Sequence, residues 1–405
     1  MAGYAAAGVR ARGRVDGFRV TLADATGRAY GADARVAGVI VPGLEARGTD
    51  LTLDLRGRLA GLDLRRLPRS LGVPPAASRL DFDYRLRGTP NAWRGSAEFR
   101  ESVLAAATIQ PGTTASFTSD GRVIAYGSAG TVRGLDLQQV GRAFGIETLA
   151  ADRFASDVNG RFSVEGRGTR LPEIVLDATA LLEPSTLSMA RVPSLQVEAH
   201  LDRGSLRAKA DGQFAGVDPG GLSGRKGLAG AVSGRLDVEA SVADISAPIT
   251  PESVTARGRV ELGPSKVGPA SIDRAVVEGE FSNATARFAR ATIEGKDLEL
   301  KAAGTLALND TGASDLQYHL DVRDLSEVGR MVGQPLEGSV VLDGKVSGNR
   351  ADLRTAGTLK GTNVGYSSTR ALSAESQYEV QVSNFDATSA RVSADSRLMF
   401  LAIGG

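Results

Sequence analysis

The sequence lacks the residues on which most site chemistry is built. It has no cysteine and only two histidines in 405 residues. That removes disulfides, thiol nucleophiles and cysteine-ligated metals, and confines imidazole chemistry to His200 and His319. Charge of one sign is missing too: 48 basic against 47 acidic side chains leave a formal net charge of +1. Without a surplus of positive charge there is no electrostatic footprint for nucleic acid. Aromatic residues make up only 5% of the chain, while glycine supplies 50 residues. Thick globular cores draw much of their buried area from aromatic rings, so this balance points to thin layers. The most apolar stretches, Val103 to Ile109 and Leu398 to Ile403, fall far short of the about 20 residues of a membrane helix. Hydrophobic residues still reach 42%, enough to exclude a disordered chain.

No motif fills the gap. His200 and His319 fall on the polar phase of alternating segments, with no second metal ligand near either in sequence. Asp81 and Asp83 share one wet face, but Arg85 and Arg87 continue it, which is a solvated charge ladder. Gly224-Arg-Lys-Gly227 has the wrong order and flanks for a phosphate loop. No serine lies in a Gly-x-Ser-x-Gly elbow, and Trp93 reads as packing at a strand edge. The chain is therefore expected to be no enzyme and to need neither cofactor nor metal.

What is present is alternation. Leu80-Asp-Phe82-Asp-Tyr84-Arg-Leu86-Arg87 switches between apolar and charged residues without a break. Leu195-Gln-Val197-Glu-Ala199-His-Leu201-Asp202 and Leu316-Gln-Tyr318-His-Leu320-Asp-Val322-Arg323 do the same. A period of two makes a strand with one greasy and one wet face. Similar segments recur from Val15 to Leu22, through Phe99 to Ala107, to Tyr378 to Val382. Turn formers stand between them, such as Asp120-Gly121, Asn159-Gly160, Asp211-Gly212 and Asn309-Asp-Thr-Gly312. The short spacing favours antiparallel hairpins and meanders, hence an all-β, elongated, curved antiparallel sheet with a few short helices.

A sparser element also repeats. Gly61-Leu-Asp63-Leu-Arg-Arg-Leu-Pro-Arg-Ser-Leu-Gly72 is echoed by Gly134-Leu-Asp136-Leu-Gln-Gln-Val-Gly-Arg-Ala-Phe-Gly145 and by Val322-Arg-Asp324-Leu-Ser-Glu-Val-Gly-Arg-Met-Val-Gly333. Gly216-Val-Asp218-Pro-Gly-Gly-Leu is a degraded copy. Aspartate caps helix starts and glycine ends helices, so each copy predicts a helix of about two turns. Leu137, Val140 and Phe144 would face one way, as would Leu325, Val328 and Val332. The aspartates lie 73, 82 and 106 residues apart, too irregular for a tight solenoid. One continuous array results, with approximate modules 1–60, 61–133, 134–215, 216–321 and 322–405. The glycine-rich stretch 216–230 reads as a loop in place of a helix.

These Gly-Leu-Asp-Leu phrases, the strand groups ending as in Val164-Glu-Gly-Arg-Gly168, and the Gly-Thr-Leu phrases at Gly304 and Gly357 together resemble the AsmA-like family, to which TamB-type proteins belong. The resemblance spans roughly residues 50–400. It implies a periplasmic protein of a double-membrane bacterium, tethered to the inner membrane and reaching toward the outer one. It implies a hydrophobic β-groove that moves phospholipid passively or supports outer-membrane assembly, with an outer-membrane assembly protein as a further partner. The family's N-terminal anchor is missing here, and Arg397 to Gly405 begins a strand and stops, so the chain is expected to be a piece of a longer protein.

The groove lining follows from the alternation: Leu80, Phe82, Tyr84, Leu86, Leu195, Val197, Leu201, Leu236, Val238, Leu316, Tyr318 and Leu320. Small inward residues such as Ala199, Ala208, Ala210, Ala240 and Ala302 leave space. The alternative is a structural or adhesive β-solenoid whose interior is filled by its own side chains. An interior of interlocked Leu, Ile and Phe would mark the solenoid; an uncovered apolar face would mark lipid transport.

Overall fold

Alternating apolar and charged residues can be sorted to two sides only by an extended backbone. The computed structural model describes residues 6–42, 51–69, 73–89, 91–147, 149–188, 190–224, 228–268, 270–332, 334–386 and 389–403, and over these the protein is all-β and antiparallel. It divides into two units, Met1–Gly204 and Ser205–Gly405. The division falls inside the module expected over 134–215 and outside the glycine-rich 216–230.

The first unit opens with β1 (Ala6–Asp16), β2 (Arg19–Ala29), β3 (Ala32–Val41), β4 (Thr52–Leu62) and β5 (Ser78–Thr89). Next come β6 (Ala92–Phe99), β7 (Ser102–Leu104), β8 (Ala107–Ile109), β9 (Thr114–Ser119) and β10 (Ile124–Leu135). Helix α1 (Leu137–Phe144) leads into β11 (Ser156–Arg167), β12 (Val175–Leu182), β13 (Ser185–Leu187) and β14 (Ala190–Asp202). The long strands form a meander; at one edge β7 and β8 carry the ladder from β5 to β10 past the ends of β6 and β9.

The second unit begins with β15 (Ser205–Val217), α2 (Pro219–Ser223), β16 (Gly230–Val242) and β17 (Val254–Leu262). It continues through β18 (Ser265–Val267), β19 (Ala270–Ile272), β20 (Arg274–Ser282), β21 (Thr285–Glu294) and β22 (Leu298–Ala307). β23 (Ser314–Val322), α3 (Leu325–Val332), β24 (Leu336–Gly348), β25 (Leu353–Tyr366), β26 (Thr369–Val382) and β27 (Arg391–Ile403) complete it. Again the long strands pair in chain order.

Several local expectations are corrected. Val15 to Leu22 is a hairpin and not one strand: Gly17, at φ 60, turns the chain between β1 and β2. Phe99 to Ala107 breaks twice, and its tight turn is Ala105-Ala106 at φ 48 and 68. Two-residue hairpins need positive φ and usually recruit Asn or Gly, so two alanines gave no warning. Asn159-Gly160 and Asp211-Gly212 lie within β11 and β15 and make no turn. Asn159 is polar because it ties neighbouring strands, donating from Nδ2 to the Pro184 carbonyl at 3.0 Å and accepting from the Gly134 amide at 3.0 Å. A short helix, α2, stands within the stretch expected to be a loop.

The Gly-x-Asp phrases have one mechanism. Gly61, Gly134 and Gly216 adopt φ 76, 65 and 72, and each sits in a bulge that turns the following Leu62, Leu135 or Val217 back into register. The copy that starts with Val322 has no glycine, and there β23 and β24 pair, with Val322 opposite Val340, without a register shift. The aspartate then caps the helical turn. Asp136 accepts from the amides of Gln138 at 2.9 Å and Ser156 at 3.3 Å, joining the start of α1 to the start of β11. In the first copy the turn is only Leu64–Arg66, because Pro68 has no amide and drives Leu67 to an extended ψ of 144. Leu137, Val140 and Phe144 are half-buried; the side chains of Val328 and Val332 lie outside the described residues.

These turns cover one edge of the apolar face, and closed cores exist beneath them. Leu64 and Leu67 pack on Ala32, Leu62 and Leu80, while Leu325 packs with Val322 and Val340. Among the described residues only ten apolar side chains larger than alanine are buried, so most of the face has no second layer.

Replacing Asp136 with alanine should lower local stability by about 1 kcal/mol, the usual worth of such a cap, with Asn retaining most of it. Native-state hydrogen exchange reads this directly: the Gln138 and Ser156 amides should lose protection while the Tyr126 amide in mid-strand should not.

Candidate functional site

Strand register decides what the apolar face contains. In the first unit one row crosses ten strands through Leu22, Gly38, Leu55, Leu86, Gly95, Phe117, Tyr126, Gly166, Leu176 and Leu201. The next row holds Val36, Gly57, Tyr84, Ala97, Ala115, Ser128, Val164, Ala178 and Ala199. A third joins Ala34, Leu59, Phe82 and Phe99, and resumes at Gly130, Phe162, Ala180 and Val197. A fourth, along the lidded edge, holds Ile109, Val132, Gly160, Leu182 and Leu195. No charged residue enters any of them. At about 4.8 Å per strand the first row is roughly 43 Å long.

The second unit repeats the arrangement with its own residues. One row passes through Gly212, Leu236, Val260, Val277, Ala291, Ala302, Tyr318, Gly344, Gly357, Tyr378 and Ala394. Beside it run Ala210, Val238, Gly258, Gly279, Phe288, Gly304, Leu316, Val346, Thr355, Val380 and Val392. On the other side lie Ile293, Leu300, Leu320, Leu342 and Leu359.

The predicted lining residues thus fall into shared rows. Leu86 with Leu201, Phe82 with Val197, Leu236 with Tyr318, and Val238 with Leu316 each lie on one row; Tyr84, Leu195 and Leu320 lie on adjacent ones. All of these are half-buried. Leu80 differs: it is 7% exposed and belongs to the closed core with Ala32 and Leu62.

Sequence reasoning missed how the rings lie. A Cβ added at Gly95 would come within 2.2 Å of the Phe117 ring, and one at Gly166 within 2.8 Å of the Tyr126 ring. These aromatics lie down across a glycine on the neighbouring strand and do not stand up from the sheet. Glycine at the inward phase of a strand is the signal, but it acquires meaning only once register is known. Burial pushes the Tyr84 hydroxyl above its usual pKa, so it stays neutral.

The opposite face is charged and paired. Arg87 reaches Asp54 at 2.9 Å, Arg235 reaches Asp211 at 3.1 Å, and Arg257 reaches Glu239 at 2.6 Å, which holds the Glu239 carboxyl below its ordinary pKa. Both histidines belong here. His200 Nδ1 lies 2.7 Å from Asp177 and His319 Nδ1 2.7 Å from Asp343, each the cross-strand neighbour. A shallow hollow of about 560 Å³ is bounded by Asp83, Arg85, Glu98 and Glu165. Among the described residues no His, Asp or Glu side chains converge as a metal site, and no helix is long and apolar enough to cross a membrane.

No family model, curated protein or solved structure matches this chain. Its face must be read from its own residues.

Gly95→Ala should cost about 1–3 kcal/mol by forcing the Phe117 ring off the sheet. In Phe117→Leu the same change should cost less. A double-mutant cycle in urea checks this, with a coupling of about 0.5–3 kcal/mol expected for groups in contact.

Proposed function

We propose that the chain is a non-enzymatic lipid carrier whose apolar face holds the acyl chains of phospholipid, in the manner of AsmA-like and TamB-type proteins. The observation that carries this reading is the set of uncharged rows crossing each unit while ion pairs between neighbouring strands, such as Arg87–Asp54 and Arg257–Glu239, stand on the other face. Each methylene withdrawn from water contributes about 0.8 kcal/mol, so a strip of Leu, Val, Ala and Gly is sufficient to hold a chain. Because no charge interrupts the rows along their length, an acyl chain meets no deep trap and can slide. A self-packed solenoid calls for interlocked, fully buried side chains, whereas these stay half-buried. The periplasmic setting, the curved groove, contact with inner and outer membranes and an outer-membrane assembly partner belong to the same reading and rest on the resemblance.

Mass spectrometry of the purified chain should find co-purifying phospholipid; folded protein free of any lipid would count heavily against the proposal. Val197→Asp together with Val238→Asp places unpaired charges in the rows and should lower vesicle-to-vesicle lipid transfer by about tenfold or more. His200→Gln, on the charged face, should leave transfer unchanged.

A further inference from the structure

The rows of the second unit carry a cluster of hydroxyls at Tyr318, Thr355 and Tyr378. Tyr318 on β23 and Tyr378 on β26 face each other across two intervening strands, over Gly344 of β24 and Gly357 of β25. Both glycines are needed: a Cβ at Gly344 would lie 2.6 Å from the Tyr318 hydroxyl and 2.7 Å from the Tyr378 hydroxyl, and one at Gly357 would lie 2.9 Å from the latter. The two phenols hydrogen-bond to each other, and Tyr318 Oη also lies 2.7 Å from Thr355 Oγ1. Three neutral hydroxyls therefore meet on a floor otherwise made of Leu316, Leu320, Leu342 and Val346. Burial, then the hydrogen bond to Tyr318, raises the Tyr378 pKa, so its hydroxyl keeps its proton at neutral pH.

Resting on the lipid-holding reading above, we propose that Tyr318, Thr355 and Tyr378 bind the ester carbonyl of a glycerolipid and so make the second unit selective for acyl esters over plain hydrocarbon chains. The chemistry selects this group. A phosphate would bring charge to rows that hold no cation to meet it, and an alkyl chain leaves the hydroxyls unused. A neutral carbonyl accepts from a phenol or threonine O–H without either partner being charged. Flat rings keep the passage open while their hydroxyls mark one position along it.

The test offers the full chain an equimolar mixture of ester-linked and ether-linked phosphatidylcholine of equal chain length. The bound ratio is read by mass spectrometry. The wild-type protein should favour the ester by about 2- to 10-fold, the worth of a neutral hydrogen bond. Tyr318→Phe with Tyr378→Phe should bring the ratio to one, and Thr355→Val, which removes a hydroxyl without disturbing the rings, should lower it. A wild-type ratio of one, or a preference that survives in the folded variants, overturns the proposal. Binding of neither lipid by folded wild-type protein overturns the lipid-holding reading itself.

Discussion

Antiparallel register is the constraint on which everything else in this chain depends. Side chains alternate with a period of two, so a slip of one residue in any strand pair would exchange its faces. At Leu55 and Leu86 such a slip would bring Asp54 or Arg87 onto the apolar side. The Gly61, Gly134 and Gly216 bulges each absorb an extra residue without losing the phase of the apolar residue that follows. On the charged face, opposite charges on neighbouring strands, such as Arg257 and Glu239 or Arg235 and Asp211, match only in this register. Exposed pairs of this kind add little stability singly. Their effect is to penalise wrong pairings.

A sheet buries its apolar face against another layer in most folds; here the closed cores lie under the lids. Leu62 and Leu80 beneath the Leu64–Arg66 turn, and Val322 and Val340 beneath α3, are closed cores in miniature. Each lid is anchored at its start by an aspartate that also reaches the next strand or caps the turn. Stability is therefore distributed along the chain, module by module.

The alternating segments made the all-β class legible, since Leu80 to Arg87 and Leu316 to Arg323 admit no other backbone. The Asp-capped phrases revealed α1 and α3. Leu86, Val197 and Tyr318 could be placed on the apolar face from periodicity alone. What escaped was everything that depends on a neighbour distant in sequence. Ala105-Ala106 turns the chain because β7 and β8 must bridge β5 to β10, and alanine carries no mark of that. Ser102, Ser185 and Ser265 begin the short edge strands and accept from the amides of Asp81, Asn159 and Ser233, a repeat visible only after pairing is known. The meeting of Tyr318 with Tyr378 likewise exists only because two glycines on the strands between them leave room.

The central claim is that the uncharged rows are where lipid lies. Photo-crosslinking to a phospholipid with a photoreactive acyl tail tests it most directly. Crosslinkers at Val164 and Leu236 sit in the rows, and those at Glu165 and Asp237 sit one residue away on the charged face. The account predicts lipid adducts at Val164 and Leu236 and none above background at Glu165 and Asp237. Equal labelling of both faces, or none on either, would contradict it.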